Sequence, residues 1–572
     1  MEHAKAFDIK TFGVGFLISF SVYLFYPIST FLLRSQNDEV PLNADSVITD
    51  NLWIPIVVSL VTALWVSALY AFIVKANRIH TIIAVLLMTF LLVKYEERLL
   101  GILPTLRAFN PIPNQSYSVY SLVLITIFLV FSYYVAKVIT HFVKKSKTLQ
   151  EGLPTIVLVM SLFLLLTTLL PFARYVYSTH KQLSYKPPLL KTGTLSTKKG
   201  SPNIYYILLD RYTNNDVLKA DFDYDNTAFT NNLKDKGFTV NESAYANYPY
   251  TALSVASTMR TDYLADIKSE FGGSKNQNFS PLFRSIQYSP TVESLKKVGY
   301  QYQLIGNWFG SSDRSALASE FYFNGSDLRV NGQRKYLGLF DSAFINNSYT
   351  YEFLKDADLY KTANETEQAQ YQVEMLKQLT KTNAPDSGKL MFAHILVPHN
   401  PFVFNADGSI ASYDSGENNN GKPVKEKYLD QVKYINSEIK KITDDLIAND
   451  PNAVIVLQSD EGIYPYGILQ DEPYKGDKSR SSPNMNEWSD RYLRAKFGIL
   501  AAYRLPGVNQ EDIDKYANSV NIFKLVLNQY FGANLQYDPV CHIGLTDRSK
   551  YYSFTDLTKR LTGTENPACA TK

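Results

Sequence analysis

Two hydrophobic patterns divide the chain. Up to about residue 173 the apolar positions run on without a helical or strand period. Residues 11–33 carry no charge, and 53–74, 118–140 and 155–173 are similar apart from Lys137. Each has about the 20 apolar residues needed to cross roughly 30 Å of hydrocarbon. A further run from Thr81 (TIIAVLLMTFLLV) meets Lys94, Glu96, Glu97 and Arg98, which shortens the apolar part of a span placed at 80–101. Those charges either hold a lipid head group or an ion, or reach the outer interface and are solvated there. The first run is too long for the apolar part of a cleavable leader and lacks an A-x-A exit.

Loop charges set the number and direction of the spans. Lys75 and Arg78 follow the second span, and Lys144, Lys145 and Lys147 follow the fourth, whereas the loop after the first carries Asp38, Glu39, Asp45 and Asp50. Basic loops stay cytoplasmic. Five crossings then leave the N-terminus in the cytoplasm and everything after Ala173 outside, as expected of a multi-pass protein of the cell membrane. Residues 174–200, polar and Pro-containing, read as a tether.

From Asn203 the pattern becomes that of a water-soluble α/β domain. Short apolar runs at 203–209, 301–306, 390–397, 453–458 and 497–503 predict strands, with another at 239–246. Helix-like stretches at 224–236, 291–298, 364–380 and 424–448 alternate with them. That alternation predicts a mostly parallel sheet with helices on both faces. The Asn/Gly-rich stretch 416–421 reads as a surface loop.

Composition narrows the function. The chain has 572 residues, 46% of them apolar, which is material for about three structural units. Lys+Arg 57 against Asp+Glu 54 is too balanced for a nucleic-acid binder relying on a basic surface. Two cysteines are too few for a disulfide framework or a Cys-rich zinc module.

In parallel α/β sheets, ligands gather beyond the carboxyl ends of the strands. Two predicted strands end in acid there: Asp210, and Asp460 with Glu461. Such acids also form turns and caps, but two in matching contexts point to a cation site. In NYPYTALSVASTM (247–259), Pro249 leads into a helix that places the Thr251 hydroxyl at a helix start. It is there either an N-cap or a nucleophile activated by a metal and the helix end. In HILVPHNPF, His394 falls within a strand and reads as a core residue. His399 lies just past the end, where an imidazole can bind substrate or protonate a leaving oxygen.

Together PNIYYILLDRY, NYPYTALSVAS, PHNPF and YLDQVKYINSEIKKITDDL leading into VIVLQSDEG resemble the alkaline phosphatase/sulfatase superfamily. The resemblance is to its membrane-anchored branch, with lipoteichoic acid synthases and phosphoglycerol or phosphoethanolamine transferases, and it covers most of 201–535. It implies an alkaline-phosphatase-like domain, with 536–572 as a tail. Asp210, Thr251, Asp460 and Glu461 would be metal ligands, Thr251 the nucleophile that becomes phosphorylated, and His399 a contact to the transferred group. Trp308 and Arg314 lie where relatives place substrate-binding residues. The family usually carries Asp-His at positions 460–461. Glu461 makes the cage oxygen-only, which favours Mn²⁺ or Mg²⁺, admits Ca²⁺ and disfavours Zn²⁺. It also adds negative charge beside an anionic substrate. Cys541 and Cys569, outside the membrane, are a candidate disulfide clamping the tail.

The implied activity is metal-dependent transfer or hydrolysis of a phospho-alcohol group on an envelope lipid or glycan. Sulfate-ester hydrolysis fits poorly, because the C/S-x-P-x-R context that matures into the sulfatase aldehyde is absent around Thr251. The alternative is a non-catalytic relative that binds an anionic envelope polymer or a protein partner.

Overall fold

The computed structural model describes scattered positions before Tyr117 and then mainly 117–143, 177–190, 201–274, 277–307, 315–323, 365–381, 388–411, 422–465 and 481–572. In the N-terminal unit the backbone is helical over Tyr117–Val143, 27 residues that include the run at 118–140. The other four expected spans fall largely outside the described residues. Counting only described residues, no helix is long and apolar enough to cross a membrane.

Residues 181–334 and 363–572 make up a second unit. Its centre is an eight-stranded sheet of β1 (Ile204–Leu209), β2 (Thr239–Val240), β3 (Gln301–Ile305), β4 (Glu320–Phe323), β5 (Ser326–Leu328), β6 (Lys389–Ile395), β7 (Val454–Gln458) and β8 (Ala501–Arg504). The spatial order is β2-β8-β7-β1-β6-β3-β4-β5. The four pairings from β7 through β1, β6 and β3 to β4 are parallel. The edges, β2-β8, β8-β7 and β4-β5, are antiparallel.

The sequence explains this layout. IYYILL in β1 and VIVLQ in β7 are buried at every position, as central strands covered on both faces must be. Of the run expected at 239–246, Thr239–Val240 forms a strand paired with β8, and Tyr245 makes an isolated antiparallel bridge with Gly498. Helices Glu365–Leu379 and Val424–Asn449 match two of the expected helical stretches.

Register brings the candidate acids together. Leu208 pairs with Gln458 of β7 and with His394 of β6. Asp210 and Asp460 each lie two residues beyond that pair, so they leave the sheet at the same level.

Two further features frame the domain. Tyr185, only 8% exposed, donates its hydroxyl to Asp266 Oδ2 (2.6 Å) and accepts from Arg260 Nη1 (2.9 Å). Segment 181–190 thus docks on the last residue of the helix Thr251–Arg260. At the other end of the chain, Cys541 and Cys569 form the expected disulfide. Closing a loop of 28 residues contributes about 3.6 kcal/mol in a chain-entropy account. Strands β9 (Ile543–Leu545) and β10 (Phe554–Asp556) pair antiparallel within this C-terminal segment.

Candidate functional site

Asp210, Asp460 and Glu461 each offer a carboxylate oxygen, all within 4.8 Å of one another, and all three are buried. Thr251 opens the helix Thr251–Arg260, preceded by extended Tyr250. Tyr250 is the capping residue and makes no side-chain cap, so Thr251 is not an N-cap: it is the first helical residue. The first bond of the helix runs from Ser254 N–H to Tyr250 O (2.9 Å). The N–H groups of residues 251–253 are therefore left for another acceptor, an arrangement that suits an anion. The Thr251 hydroxyl lies beside the Asp460 carboxyl and helps to hold its charge.

The carboxylates differ electrically. Burial works against the Asp210 charge, but His399, His394 and Arg211 outweigh it and bring the pKa down to about 2. Asp460 is pushed well above the ordinary carboxyl range, first by burial and then by the charges of Asp210 and Glu461. Glu461 is paired on both oxygens, Oε1 with Arg211 Nε (2.9 Å) and Oε2 with Lys496 Nζ (2.5 Å). Desolvation lowers the Lys496 pKa, against the pull of Glu461. The ammonium also sits over the rings of Tyr250 (5.0 Å) and Tyr464 (5.2 Å).

Lys496 reaches this place because of a glycine. Gly462 N–H donates to Lys496 O (2.8 Å), and a Cβ on Gly462 would collide with the carbonyl oxygens of Ala495, Gly498 and Lys496. Only a bare backbone lets the end of helix Asp490–Phe497 close against the turn after β7.

Arg211 is held just as firmly. It has φ 59°, a left-handed conformation costing a residue with a side chain about 1–2 kcal/mol. Its N–H donates to Asp460 Oδ1 (3.2 Å), its carbonyl accepts from the Tyr428 hydroxyl (2.8 Å), and Nη1 donates to Asn400 Oδ1 (3.1 Å).

The two histidines divide differently from their sequence contexts. His394 is fully buried and satisfied, as expected of a core residue, yet it borders the site. Its Nε2 lies 3.4 Å from Asp210 Oδ2, and its Nδ1 is bonded to Ser312 Oγ (2.7 Å). It therefore orients Asp210. His399 is partly exposed, its Nδ1 bonded to the carbonyl of Asn400. Desolvation of the ring by the groups packed around it, then the Arg211 charge, lowers its pKa to about 4, so it is neutral at pH 7. Trp308 and Arg314 lie outside the described residues.

A divalent cation fits this donor set. Among the described residues, Asp210 Oδ1 and Asp460 Oδ2 are buried oxygens with no hydrogen-bond partner, a costly condition that a cation would relieve. All the donors are oxygens, which suits a hard ion. Asp210, Thr251 and Asp460 would hold it, with Glu461 contributing through whatever lone pairs its two ion pairs leave.

The Sulfatase family model matches residues 202–527, more than half of the chain. A search of curated protein sequences finds no match. Among solved structures the chain is similar to the C-terminal periplasmic domain of EcEptC from Escherichia coli in complex with Zn, at 13% identity over 67% of this chain and 100% of that one, TM-score 0.38. It is also similar to BT33494S-sulf of Bacteroides thetaiotaomicron, at 14% identity over 62% of this chain and 83% of that one, TM-score 0.34. The family match runs from the start of β1 through the Thr251 helix and both acid-bearing strand ends, so the chain belongs to the sulfatase family of the alkaline phosphatase-like superfamily.

Proposed function

We propose that the protein is a multi-pass enzyme of the cell membrane, of the phosphoglycerol and phosphoethanolamine transferase branch, with its sulfatase-family domain outside the cytoplasm. It transfers or hydrolyses a phospho-alcohol group on an envelope lipid or glycan. Support for the outward orientation comes from the loop charges and from the Cys541–Cys569 disulfide, which belongs in an oxidising compartment. The observation that carries the chemistry is the pair of unpartnered carboxylate oxygens on Asp210 and Asp460 beside the Thr251 hydroxyl.

A cation bound there, Mn²⁺ or Mg²⁺ by the hardness of its ligands, would supply charge neutralisation and favour the ionised hydroxyl. Thr251 Oγ attacks phosphorus, an Oγ–P bond forms, and the bond to the lipid alcohol oxygen breaks. The proton given up by the Thr251 hydroxyl is made up on that oxygen, which leaves as the alcohol. The free N–H groups of the Thr251 helix face the charge that builds on the phosphoryl oxygens. His399, neutral at pH 7, hydrogen-bonds to the transferred group. Attack on phosphorus by an acceptor hydroxyl or by water then regenerates Thr251.

The test uses the purified full chain with Mn²⁺ and vesicles of phosphatidylglycerol or phosphatidylethanolamine. Diacylglycerol release and a mass-shifted Thr251 peptide are expected from the parent and not from Thr251→Ala. Full turnover by Thr251→Ala would overturn the mechanism. The second reading, a non-catalytic binder of anionic polymer, draws on the two cations already paired with Glu461. It predicts neither turnover nor a modified Thr251.

A further inference from the structure

The charge that Glu461 adds to the site is matched by two cations that no part of the proposed chemistry has yet used. They are not equivalent. Lys496 is fully buried and committed to Glu461 and two tyrosine rings. The Arg211 side chain is 23% exposed. Nε and Nη1 are bonded to Glu461 and Asn400, while Nη2 makes no hydrogen bond among the described residues. The guanidinium is thus held at two of its nitrogens and lies 5.9 Å from the Tyr464 ring centre, with Nη2 left to bond a ligand, and its own backbone N–H bonds the Asp460 carboxyl. A purely structural turn at this left-handed position would be better served by glycine.

The geometry points to Arg211 as an oxyanion-binding residue of this site, with Glu461 and Lys496 as the positioning residues that aim it. Glu461 fixes the angle of the guanidinium through Nε. Lys496 neutralises the second Glu461 oxygen, so that the carboxylate anchors the arginine without repelling an incoming anion. The ligand class is a tetrahedral oxyanion, the phosphate of a lipid diester or free phosphate alike, which Arg recognises through charge-assisted bonds. The assignment rests on the proposed reading only in taking the ligand to be an anion.

Isothermal titration of the purified full chain with inorganic phosphate tests it, with Mn²⁺ present and again after chelation. The parent is expected to bind phosphate saturably in at least one condition. Arg211→Gly keeps a residue suited to φ 59° and should weaken phosphate roughly 10- to 100-fold, the loss of a charge-assisted contact. Arg211→Lys should recover only part of this, because an ammonium lacks the planar fork. Mn²⁺ affinity of Arg211→Gly should be unchanged or higher, since a cation has been removed from beside the carboxylates. Asn400→Ala, at an exposed residue, provides a second variant if Arg211→Gly fails to fold, with an expected loss of about threefold.

Unchanged phosphate affinity in the folded variants would overturn the assignment, as would a parent that binds no phosphate in either condition. Vesicles of phosphatidylglycerol competing with free phosphate would identify a lipid source, and the absence of competition a soluble one; either supports Arg211 as the binder. A parent that binds phosphate through Arg211 but shows no Thr251-dependent turnover supports this assignment while removing the transfer reading.

Discussion

The ends of β1 and β7 present an aspartate at the same level of the sheet and leave it in opposite electrical states. Asp210 is followed by a cation, backed by His394, and ionised down to about pH 2. Asp460 is followed by another acid, faces Asp210, and resists ionisation. Matching positions in neighbouring strands therefore do different work. One supplies a carboxylate whose charge is already supported by the protein, and the other a carboxylate whose charge calls for an added cation. Thr251 lies on the side of the second.

The largest effect expected of this asymmetry is on catalysis. Thr251→Ala should lower turnover by about 1000-fold or more, as for other lost nucleophiles, while Mn²⁺ remains bound through the carboxylates. Simultaneous loss of turnover and all Mn²⁺ binding would show that the hydroxyl, rather than the aspartates, dominates the cation site. Acid unfolding of the chelated protein sharpens the contrast. Because the folded pKa of Asp210 is depressed, its contribution of about 2 kcal/mol is present above pH 4 and lost as pH falls toward 2. Asp210→Asn should flatten that limb of the denaturation profile.

Asp460 has the opposite sign. With its folded pKa raised, chelated protein should gain stability from this group as pH falls through that pKa, and Asp460→Asn should melt higher than the parent at pH 7, by roughly 1–3 °C. The same substitution should lower the melting temperature relative to the parent once Mn²⁺ is added. His394→Ala is the mildest probe. It should cost about 10-fold in Mn²⁺ affinity by releasing Asp210, with Thr251-dependent turnover recovering at higher Mn²⁺ concentrations. Failure of added Mn²⁺ to restore rate would assign His394 a role beyond holding Asp210.

How much of this could be read from the residues depended on whether local pattern or tertiary approach decides each feature. The runs forming β1, β6 and β7 were legible because central parallel strands are apolar throughout. Strands β4 and β5 were not, since EFYF and SDL are too short and mixed to stand out from loop. Asp210, Asp460 and Glu461 could be located because strand ends converge on one rim. Arg211 carries no signal of its own in the sequence beyond its place next to Asp210. Lys496 gave none. Within DRYLRAKF it looks like a solvent-facing lysine, and it is buried only because Gly462, remote in sequence, admits the helix end. His394 was correctly read as a core residue, but its contact with Asp210 depends on the pairing of β6 with β1, which no single strand reveals.

The docking of Tyr185 on Arg260 has a practical side. Arg260 and Thr251 stand at opposite ends of one ten-residue rod about 15 Å long. Severing the polypeptide at Ser201 would strip a buried guanidinium of its phenol partner and loosen the far end of the rod that carries the Thr251 hydroxyl. A soluble fragment intended to report native rates should therefore begin upstream of Lys181, and a fragment begun at Ser201 should be expected to understate them.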